Sequence, residues 1–183
     1  THTLLEEIDE KMASQQSAFI TADVMSIISM GDKKLHVPAG SSLPFFENGI
    51  GKLGKLDYYF NGNAYNRNTQ QPGDALVREF TTAWLNAPYL WGGRTPLGVD
   101  CSGFTQVIFK LSGIDLPRDA WQQAQEGKVV KKLSEAQTGD LAFFDDKEEI
   151  VHVGILLDNQ QIIHASGKVR IDTIEKKGLI NTD

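Results

Sequence analysis

The spacing of hydrophobic positions divides the chain into four parts, of which the first is a short amphipathic segment over residues 4–14. Thr3 and Glu6 have the spacing of a capping box, in which two side chains bond to backbone N–H groups at a helix start. Apolar residues then recur on one helical face. This pattern predicts a helix near the beginning of the chain.

The second part, from Ala18 to about Tyr65, has short runs of β-branched and aromatic residues between turn-forming residues. Its predicted strands cover residues 19–21, 24–28, 35–37, 43–46 and 56–60. Five short strands in about 50 residues predict a small, strongly bent β-barrel. No residue here has the character of a catalytic group, so we expect the barrel to bind a ligand or to brace a neighbouring domain.

A polar linker over residues 66–73 separates this barrel from a helical part. Apolar spacing predicts one helix that begins after the linker at Asp74 and another that begins at Cys101 and ends before Gly113. A third helix is predicted to begin within residues 117–122. The loop ahead of Cys101 is rich in glycine, which allows close approach of backbone or ligand.

From Val129 onward polar and apolar residues alternate, which is the period of β-strands. The predicted strands cover residues 129–132, 141–144, 150–157, 161–165 and 169–174. Helices followed by an antiparallel meander indicate an α+β fold. We place the domain boundary in the linker, which gives a first domain over 1–68, with the N-terminal helix and the barrel, and a second over 69–183.

Composition excludes several classes of protein. The net charge of −6 argues against a nucleic-acid-binding protein, which would present a basic face. No apolar run approaches the roughly 18 residues that a membrane-spanning helix needs. The chain begins at Thr1 with a polar, acidic segment, so we expect that any export signal was removed or never existed. The localisation, cytoplasmic or exported, stays open. The oligomeric state also stays open, and the sequence is compatible with a monomer.

Cys101 is the only cysteine in 183 residues, which excludes a disulfide scaffold and a multi-cysteine zinc site. The predicted helix places its thiol in the first turn, where unpaired backbone N–H groups favour an anion. Such a position can lower the pKa of a cysteine below its usual value of about 8.5. A small buried hydrophobic residue is an equally good interpretation of a lone cysteine.

Two histidines lie in otherwise apolar strands of the meander, His152 and His164. A connection with an odd number of residues would place them on one face of the sheet, and an even number on opposite faces. A helix-terminal thiol with two histidines fits nucleophilic catalysis, with Cys101 as nucleophile, one histidine as base and the other as its orienting group. We assign His152 as base and His164 as orienter, although spacing alone permits the reverse. A metal site of these three residues is chemically possible, but we find no acidic residue at strand-adjacent spacing to complete it, and we expect no cofactor.

Four motifs follow one another in the second half of the chain. They are Tyr-x-Trp-Gly-Gly from Tyr89, Asp-Cys-Ser-Gly from Asp100, His-Val-Gly-Ile from His152 and Ile-His-Ala-Ser from Ile163. In order and spacing they resemble the NlpC family of papain-like cysteine peptidases, which cut bacterial cell-wall peptides. The resemblance covers residues 74–174 and implies a papain-like domain of helices packed on an antiparallel sheet. An SH3-like β-barrel often precedes that domain in the family, which fits the predicted barrel.

The resemblance also implies roles for individual residues. Cys101 matches the nucleophile, His152 the base and His164 the third polar residue of a Cys-His-His triad. Tyr89 matches a tyrosine whose hydroxyl helps to form the oxyanion hole beside the Cys101 backbone N–H. One such donor is typically worth about 10²–10³ in turnover.

Further positions match substrate-binding residues of the family. Asp100, Ser102 and Asp119 match residues that recognise the free amine of the substrate, and Trp91 matches an aromatic wall of the pocket. Ala120 stands where close relatives can carry serine, so one hydrogen bond to substrate is absent here. The residues themselves permit other roles, because both aspartates can cap helices and the tryptophan can pack in the core.

The branch that the chain resembles most is that of the γ-D-glutamyl-L-diamino acid endopeptidases, on account of the Asp100-Cys101-Ser102 triplet and the run 117–120. The resemblance implies hydrolysis, through a thioacyl intermediate, of the amide between γ-D-glutamate and a diamino acid in murein peptides with a free N-terminal L-alanine. Two alternatives remain open. One is an amidase or acyltransferase with the same site and another substrate, and the other is a non-catalytic protein that binds the cell wall.

Overall fold

The computed structural model describes residues 18–69, 74–175 and 178–180. Contacts between residues divide the chain into two compact units, Thr1–Thr69 and Gln70–Asp183. The helix predicted over residues 4–14 lies outside the described residues, as do the last four residues of the predicted linker.

In residues 18–69 of the first unit, short antiparallel strands form two sheets. Their bounds are β1 Phe19–Thr21, β2 Met25–Met30, β3 Lys33–Pro38, β4 Ile50–Leu53, β5 Leu56–Phe60 and β6 Ala64–Asn66. The larger sheet has the order β3-β2-β5-β4, and β1 pairs with β6. The apolar core of the first unit contains Ile28, Leu43, Tyr58 and Phe60, all of which are buried. The Tyr58 hydroxyl donates to the Pro44 carbonyl at 2.9 Å, which satisfies the polar end of this buried ring.

The strand predicted over residues 43–46 is wrong. Pro44 and Phe45 form a turn, and Phe45 has a positive φ of 50°. Proline lacks the N–H that a central strand needs, which explains why the apolar run does not extend. Leu43 is nevertheless buried, so the hydrophobic pattern marked a core contact and not a strand.

In the second unit, helices precede an antiparallel sheet, which makes an α+β architecture. The helices are α1 Asp74–Thr82, α2 Cys101–Leu111 and α3 Ala120–Gln123. The sheet strands are β9 Leu141–Asp146, β10 Glu149–Leu156, β11 Gln161–Ser166, β12 Lys168–Glu175 and β13 Gly178–Ile180, in the order β13-β12-β11-β10-β9. A small hairpin of β7 Arg94–Thr95 and β8 Gly98–Val99 leads into α2.

The strand predicted over residues 129–132 is also wrong. This segment has no regular structure, and a 3₁₀ helix over Leu133–Glu135 follows it. Val129 is 90% exposed, which shows that its β-branched side chain has no core face to cover. Lysines flank the two valines on both sides, and β-propensity without a partner strand and a buried face does not produce a strand.

Helix α2 is the central element of the second unit. It contacts β10 and β11 of the sheet, and Phe104 and Ile108 on its inner face are fully buried. The Phe104 ring also meets Trp84 edge-to-face, with 6.0 Å between the ring centroids. Gly113 follows the helix with a φ of 80°, the left-handed conformation that commonly ends a helix, so the helix ends where the sequence predicted. The packing of α2 on the sheet is what brings Cys101 to strand β10.

Candidate active site

Asp100 starts helix α2. Its backbone is extended, with φ −95° and ψ 174°, and its Oδ1 atom accepts a hydrogen bond of 2.6 Å from the Gly103 N–H. This is the N-cap geometry that satisfies one of the free N–H groups of a first turn. Cys101 is therefore the first helical residue, as the apolar spacing predicted.

The glycine-rich loop is fastened to the same carboxylate. Gly92 donates its N–H to Asp100 Oδ2 at 2.8 Å, and the Gly93 carbonyl accepts from the Asp100 N–H at 3.2 Å. A Cβ atom at Gly103 would lie 2.3 Å from the Gly93 carbonyl oxygen, so only glycine allows this approach of helix and loop. One aspartate thus joins the loop to the beginning of the Cys101 helix.

Arg118 is the partner of Asp100 that the sequence did not reveal. Its guanidinium donates to Asp100 Oδ1 at 3.1 Å and to Oδ2 at 2.6 Å, a two-pronged ion pair. Arg118 also donates to Ser102 Oγ at 3.0 Å. Burial opposes ionisation of Asp100, but the bonds from Arg118, Gly103 and Gly92 outweigh it and lower the pKa of that carboxyl. Both Asp100 carboxylate oxygens therefore already accept hydrogen bonds from groups within the protein.

The Cys101 thiol is buried against the sheet. It packs with Ala120 of α3 and with Val153, the residue that follows His152 on β10. Burial raises the pKa of the Cys101 thiol, the Val153 N–H acts in the opposite direction, and the Asp100 charge raises it further. The expected lowering by the helix N-terminus is therefore outweighed, and the resting group is a neutral thiol.

The β10–β11 register places His152 and His164 on one face of the sheet. His164 pairs with Gly154, and His152 lies two residues before Gly154 on the same strand, so the two rings are diagonal neighbours. Their atoms His152 Nε2 and His164 Nδ1 lie 2.8 Å apart, within hydrogen-bonding distance. Three residues separate the last paired positions, Leu157 and Gln161, which is the odd-numbered case considered from the sequence.

An acidic residue follows the two histidines on the next strand. His164 Nε2 lies 3.0 Å from Asp172 Oδ2, and Arg170 donates to Asp172 Oδ1 at 3.0 Å from Nε and 2.8 Å from Nη2. The expectation that no acidic residue stands at strand-adjacent spacing is wrong. The register explains why, because His164 pairs with Arg170 and Asp172 is the diagonal neighbour on the same face. Gly167 at the centre of the β11–β12 turn could have predicted this register.

Both histidines are neutral in the resting state. Burial and, to a smaller extent, the nearby His164 together lower the pKa of His152 to about 4. Burial also lowers the pKa of His164, although the Asp172 carboxylate partly offsets this effect. A neutral imidazole that reaches a thiol can take its proton, and further polar groups can orient such a base.

The remaining predicted site residues differ in how exposed they are. Tyr89 is half-buried; burial raises the pKa of its hydroxyl, and an ionised Cys101 and Asp100 raise it further, whereas Arg118 lowers it. Asp119 is exposed, and Gln122 Oε1 accepts from its backbone N–H at 3.1 Å, as in a capping box. Trp91 is 86% exposed, so the alternative of core packing is wrong for it.

A model of the NlpC/P60 family matches residues 86–182, which is more than half of the chain. The chain belongs to the NlpC/P60 family. The matched segment contains α2, α3 and the sheet, and hence every candidate residue from Tyr89 to Asp172.

Relatives of the chain carry names that agree with this family. The γ-D-glutamyl-L-lysine dipeptidyl-peptidase of Bacillus subtilis (strain 168) is 34% identical over 84% of this chain and 52% of its own length. The probable endopeptidase p60 of Listeria seeligeri is 46% identical over 51% of this chain and 18% of its own length. The chain thus spans about half or less of these two NlpC/P60 relatives.

Among solved structures, an NlpC/P60 family protein from Bacillus cereus ATCC 10987 matches with a TM-score of 0.75 and 25% identity. The match covers 93% of this chain and 63% of that protein. The likeness therefore includes residues from both compact units.

In residues 18–69, 74–175 and 178–180, no group of three or more His, Cys, Asp and Glu side chains is arranged to hold a metal ion. No helix in the described part of the chain is long and apolar enough to cross a membrane.

Proposed function

We propose that this NlpC/P60 chain is a cysteine endopeptidase that hydrolyses the γ-D-glutamyl–diamino acid amide of murein peptides with a free N-terminal L-alanine. The observation that carries the proposal is the arrangement at one helix end: a buried thiol at the start of α2, next to a strand whose His152 is bonded to His164. The name of the Bacillus subtilis relative supports the choice of bond, since that protein is described as acting on γ-D-glutamyl-L-lysine.

In the proposed reaction the Cys101 sulfur attacks the amide carbonyl while its proton passes to His152. The oxyanion that forms is stabilised by the Tyr89 hydroxyl and the Cys101 backbone N–H. The proton on His152 then passes to the leaving amine of the diamino acid, and a thioacyl intermediate remains. Water, deprotonated by His152, hydrolyses this thioester and releases the L-Ala-γ-D-Glu dipeptide with the free thiol.

For the substrate amine, we propose Asp119 as the principal carboxylate. An ammonium group needs an oxygen with free lone pairs, and the Asp100 oxygens already accept from Arg118 and from backbone N–H groups. Ser102 is similarly engaged with Arg118. Asp119 is exposed and follows Arg118 directly, so its carboxylate offers an accessible charge. Asp100 and Ser102 then shape the pocket, Trp91 covers the substrate, and Ala120 contributes van der Waals contact.

For the first unit, we propose a domain over residues 1–68 that contains an SH3-like barrel, followed by the papain-like peptidase domain over 69–183. The bent antiparallel strands β2–β5 and the short β1–β6 pair, around a core of Tyr58 and Phe60, support the barrel. A small barrel of this type is suited to binding a cell-wall component or to bracing the peptidase domain.

Incubation with L-Ala-γ-D-Glu-diaminopimelate, with product detection by mass spectrometry, tests the activity. We expect release of L-Ala-γ-D-Glu, no release by Cys101→Ala, and unchanged circular dichroism in that variant. A parallel reaction with L-lysine at the third position reports the diamino acid preference. Absence of the dipeptide product, or full activity of Cys101→Ala, contradicts the proposal. Addition of an amine acceptor separates hydrolysis from transfer, because a transferase would form a new amide.

A second assay tests recognition of the amine. Acetylation of the substrate N-terminus is expected to abolish cleavage, because it removes the positive charge that Asp119 would bind. Asp119→Asn should raise KM for the free-amine peptide at least about tenfold, the loss expected when one charge-assisted contact disappears. Asp115→Asn, an exposed aspartate in the loop after α2, is the matched control and should leave KM unchanged. Equal cleavage of acetylated and free peptides would rule out this pocket.

A further inference from the structure

Three titratable side chains form a continuous row across the main sheet, on three adjacent strands. His152 on β10 lies 2.8 Å from His164 on β11, and His164 lies 3.0 Å from Asp172 on β12. Each step joins diagonal neighbours on one face, so the row is built into the register of the sheet. His164 and Asp172 are 2% and 5% exposed, which shields the bond between them from water.

The proton positions along this row follow from its far end. Burial opposes ionisation of Asp172, but hydrogen bonds from Arg170 and His164 outweigh it and lower the pKa of that carboxyl. An ionised carboxylate can only accept, so His164 Nε2 must carry the hydrogen of their shared bond. His164 is neutral, and a neutral imidazole has one protonated nitrogen, so its Nδ1 is an acceptor.

The tautomer of His152 follows from that of His164. Because His164 Nδ1 accepts, the hydrogen in the bond to His152 belongs to His152 Nε2. His152 is neutral as well, so its Nδ1 carries no proton. The other three ring nitrogens of the two histidines take part in the hydrogen bonds of the row, so His152 Nδ1 is the one that is left over.

We infer that Asp172, held by Arg170, is a positioning residue that fixes the tautomers of both histidines, so that Nδ1 of His152 is the unprotonated nitrogen that takes the Cys101 proton. The inference rests on the proposed function for the role of His152 as base. When the thiol proton moves to Nδ1, sulfur becomes a thiolate and His152 becomes an imidazolium that still donates Nε2–H to His164. The Asp172 charge stabilises this cation through His164, as a buried carboxylate does in hydrolase triads.

Arg170 determines what an amide in place of Asp172 would do. The guanidinium donates twice to Oδ1, and arginine has no acceptor, so in Asp172→Asn the amide oxygen stays toward Arg170. The amide NH₂ then faces His164 Nε2, which must accept. The His164 proton moves to Nδ1, His152 Nε2 becomes the acceptor, and the His152 proton moves to Nδ1. The base is then blocked by its own proton, although the side-chain volumes barely change.

Nitrogen-15 NMR of the ring nitrogens tests this inference on the free full chain, without substrate. In the wild type at pH 7, we expect both histidines of the row as Nε2–H tautomers. Asp172→Asn should convert both to Nδ1–H, and Asp146→Asn, the same change at an exposed position of β9, should leave them as in the wild type. Nδ1–H on His152 in the wild type overturns the inference, whether or not the protein proves to be active. This measurement also decides the matter if the Asp172 variant does not fold.

Kinetics on the proposed substrate add a readout that a purely structural role would not produce. We expect kcat of Asp172→Asn to fall by up to about 10⁴-fold with little change in KM, in line with a tautomer-inverting substitution in a serine-protease triad. Arg170→Met should lower the free energy of unfolding, because buried Asp172 loses its arginine partner, but it should lower kcat less than Asp172→Asn does, because either carboxylate oxygen can accept from His164. The double variant Arg170→Met/Asp172→Asn lets the amide rotate and should regain at least about tenfold of the loss, on the scale of one recovered hydrogen bond. A double variant no more active than Asp172→Asn contradicts the inference, while inactivity of the wild type would count against the proposed function alone.

Discussion

Arg118 holds both oxygens of the Asp100 carboxylate, with hydrogen bonds of 3.1 and 2.6 Å. The consequence for the site is that the residue before Cys101 cannot move independently of the loop that carries Asp119. The same carboxylate caps α2 and binds the Gly92 N–H, so helix, glycine loop and the 117–123 segment share one anchoring group. If Asp119 binds the substrate amine as proposed, amine recognition and nucleophile placement are linked through this one ion pair.

The first prediction concerns Arg118→Met. The substitution leaves the Asp100 charge buried with its backbone donors alone, and an uncompensated buried charge typically costs about 3–5 kcal/mol. Because the Arg118 side chain is 32% exposed, we expect about 3 kcal/mol, measured as a loss in the free energy of unfolding by urea. Lys132→Met, which removes the exposed pair with Glu135, is the control and should cost less than about 1 kcal/mol. Equal losses in the two variants would show that the Asp100 pair has no structural weight.

How much of this could be predicted from the sequence depends on whether a feature is local. The α2 helix follows from apolar spacing within one segment, and the shared face of His152 and His164 follows from the parity of one hairpin. Arg118 and Asp172 were missed because each reaches its partner through a second connection whose length or register the pattern does not define. The row of side chains across three strands can be predicted only if the registers of both strand pairs are known.

The errors in the strands have a related cause. Residues 43–46 and 129–132 have the composition of strands, yet one contains Pro44 and the other has no partner strand. Composition reports that a segment fits a pleated, half-buried surface, and the surface itself comes from elsewhere in the fold. Conversely, β13 is only three residues long, too short for a period to be recognised.

The second prediction concerns Gly103→Ala. Its Cβ would lie 2.3 Å from the Gly93 carbonyl oxygen and 2.8 Å from Asp100 Oδ1, and neither group can move without releasing the N-cap. We expect the free energy of unfolding to fall by about 2–3 kcal/mol and activity to fall with it, because overpacking of this kind displaces backbone. Gly127→Ala is the control, since its Cβ would meet nothing within 4 Å and only the positive φ of 76° opposes it. Its cost should be about 1 kcal/mol. A larger loss in Gly127→Ala than in Gly103→Ala would contradict the close approach of loop and helix.

The third prediction is the acid limb of the pH profile. A base must be unprotonated to accept the thiol proton, and the pKa of His152 is lowered to about 4. Activity should therefore persist well below pH 6.5, the usual histidine range, and fall only as pH drops through about 4. The measurement is kcat/KM of the proposed substrate between about pH 3.5 and about pH 8, with circular dichroism at each pH to exclude acid unfolding. A limb centred near 6.5 in folded protein would show that His152 is not the buried neutral base described above.

The last prediction concerns the reactivity of Cys101. Some papain-like enzymes hold a thiolate–imidazolium pair at rest, with a thiol pKa of about 3–4, and such a thiol is alkylated at full rate already at pH 5. Here burial raises the pKa of Cys101 and lowers that of His152, so the resting pair is a thiol and a neutral imidazole. Alkylation by iodoacetamide should be slow at pH 5–7 and should still rise with pH above about 8.5, the usual cysteine range. Because Cys101 is the only cysteine, whole-protein mass spectrometry follows this one site, and Cys101→Ala reports any labelling elsewhere. A rate that is already maximal at pH 5 would mean that the proton has left sulfur before substrate binds, and that the helix N-terminus outweighs burial.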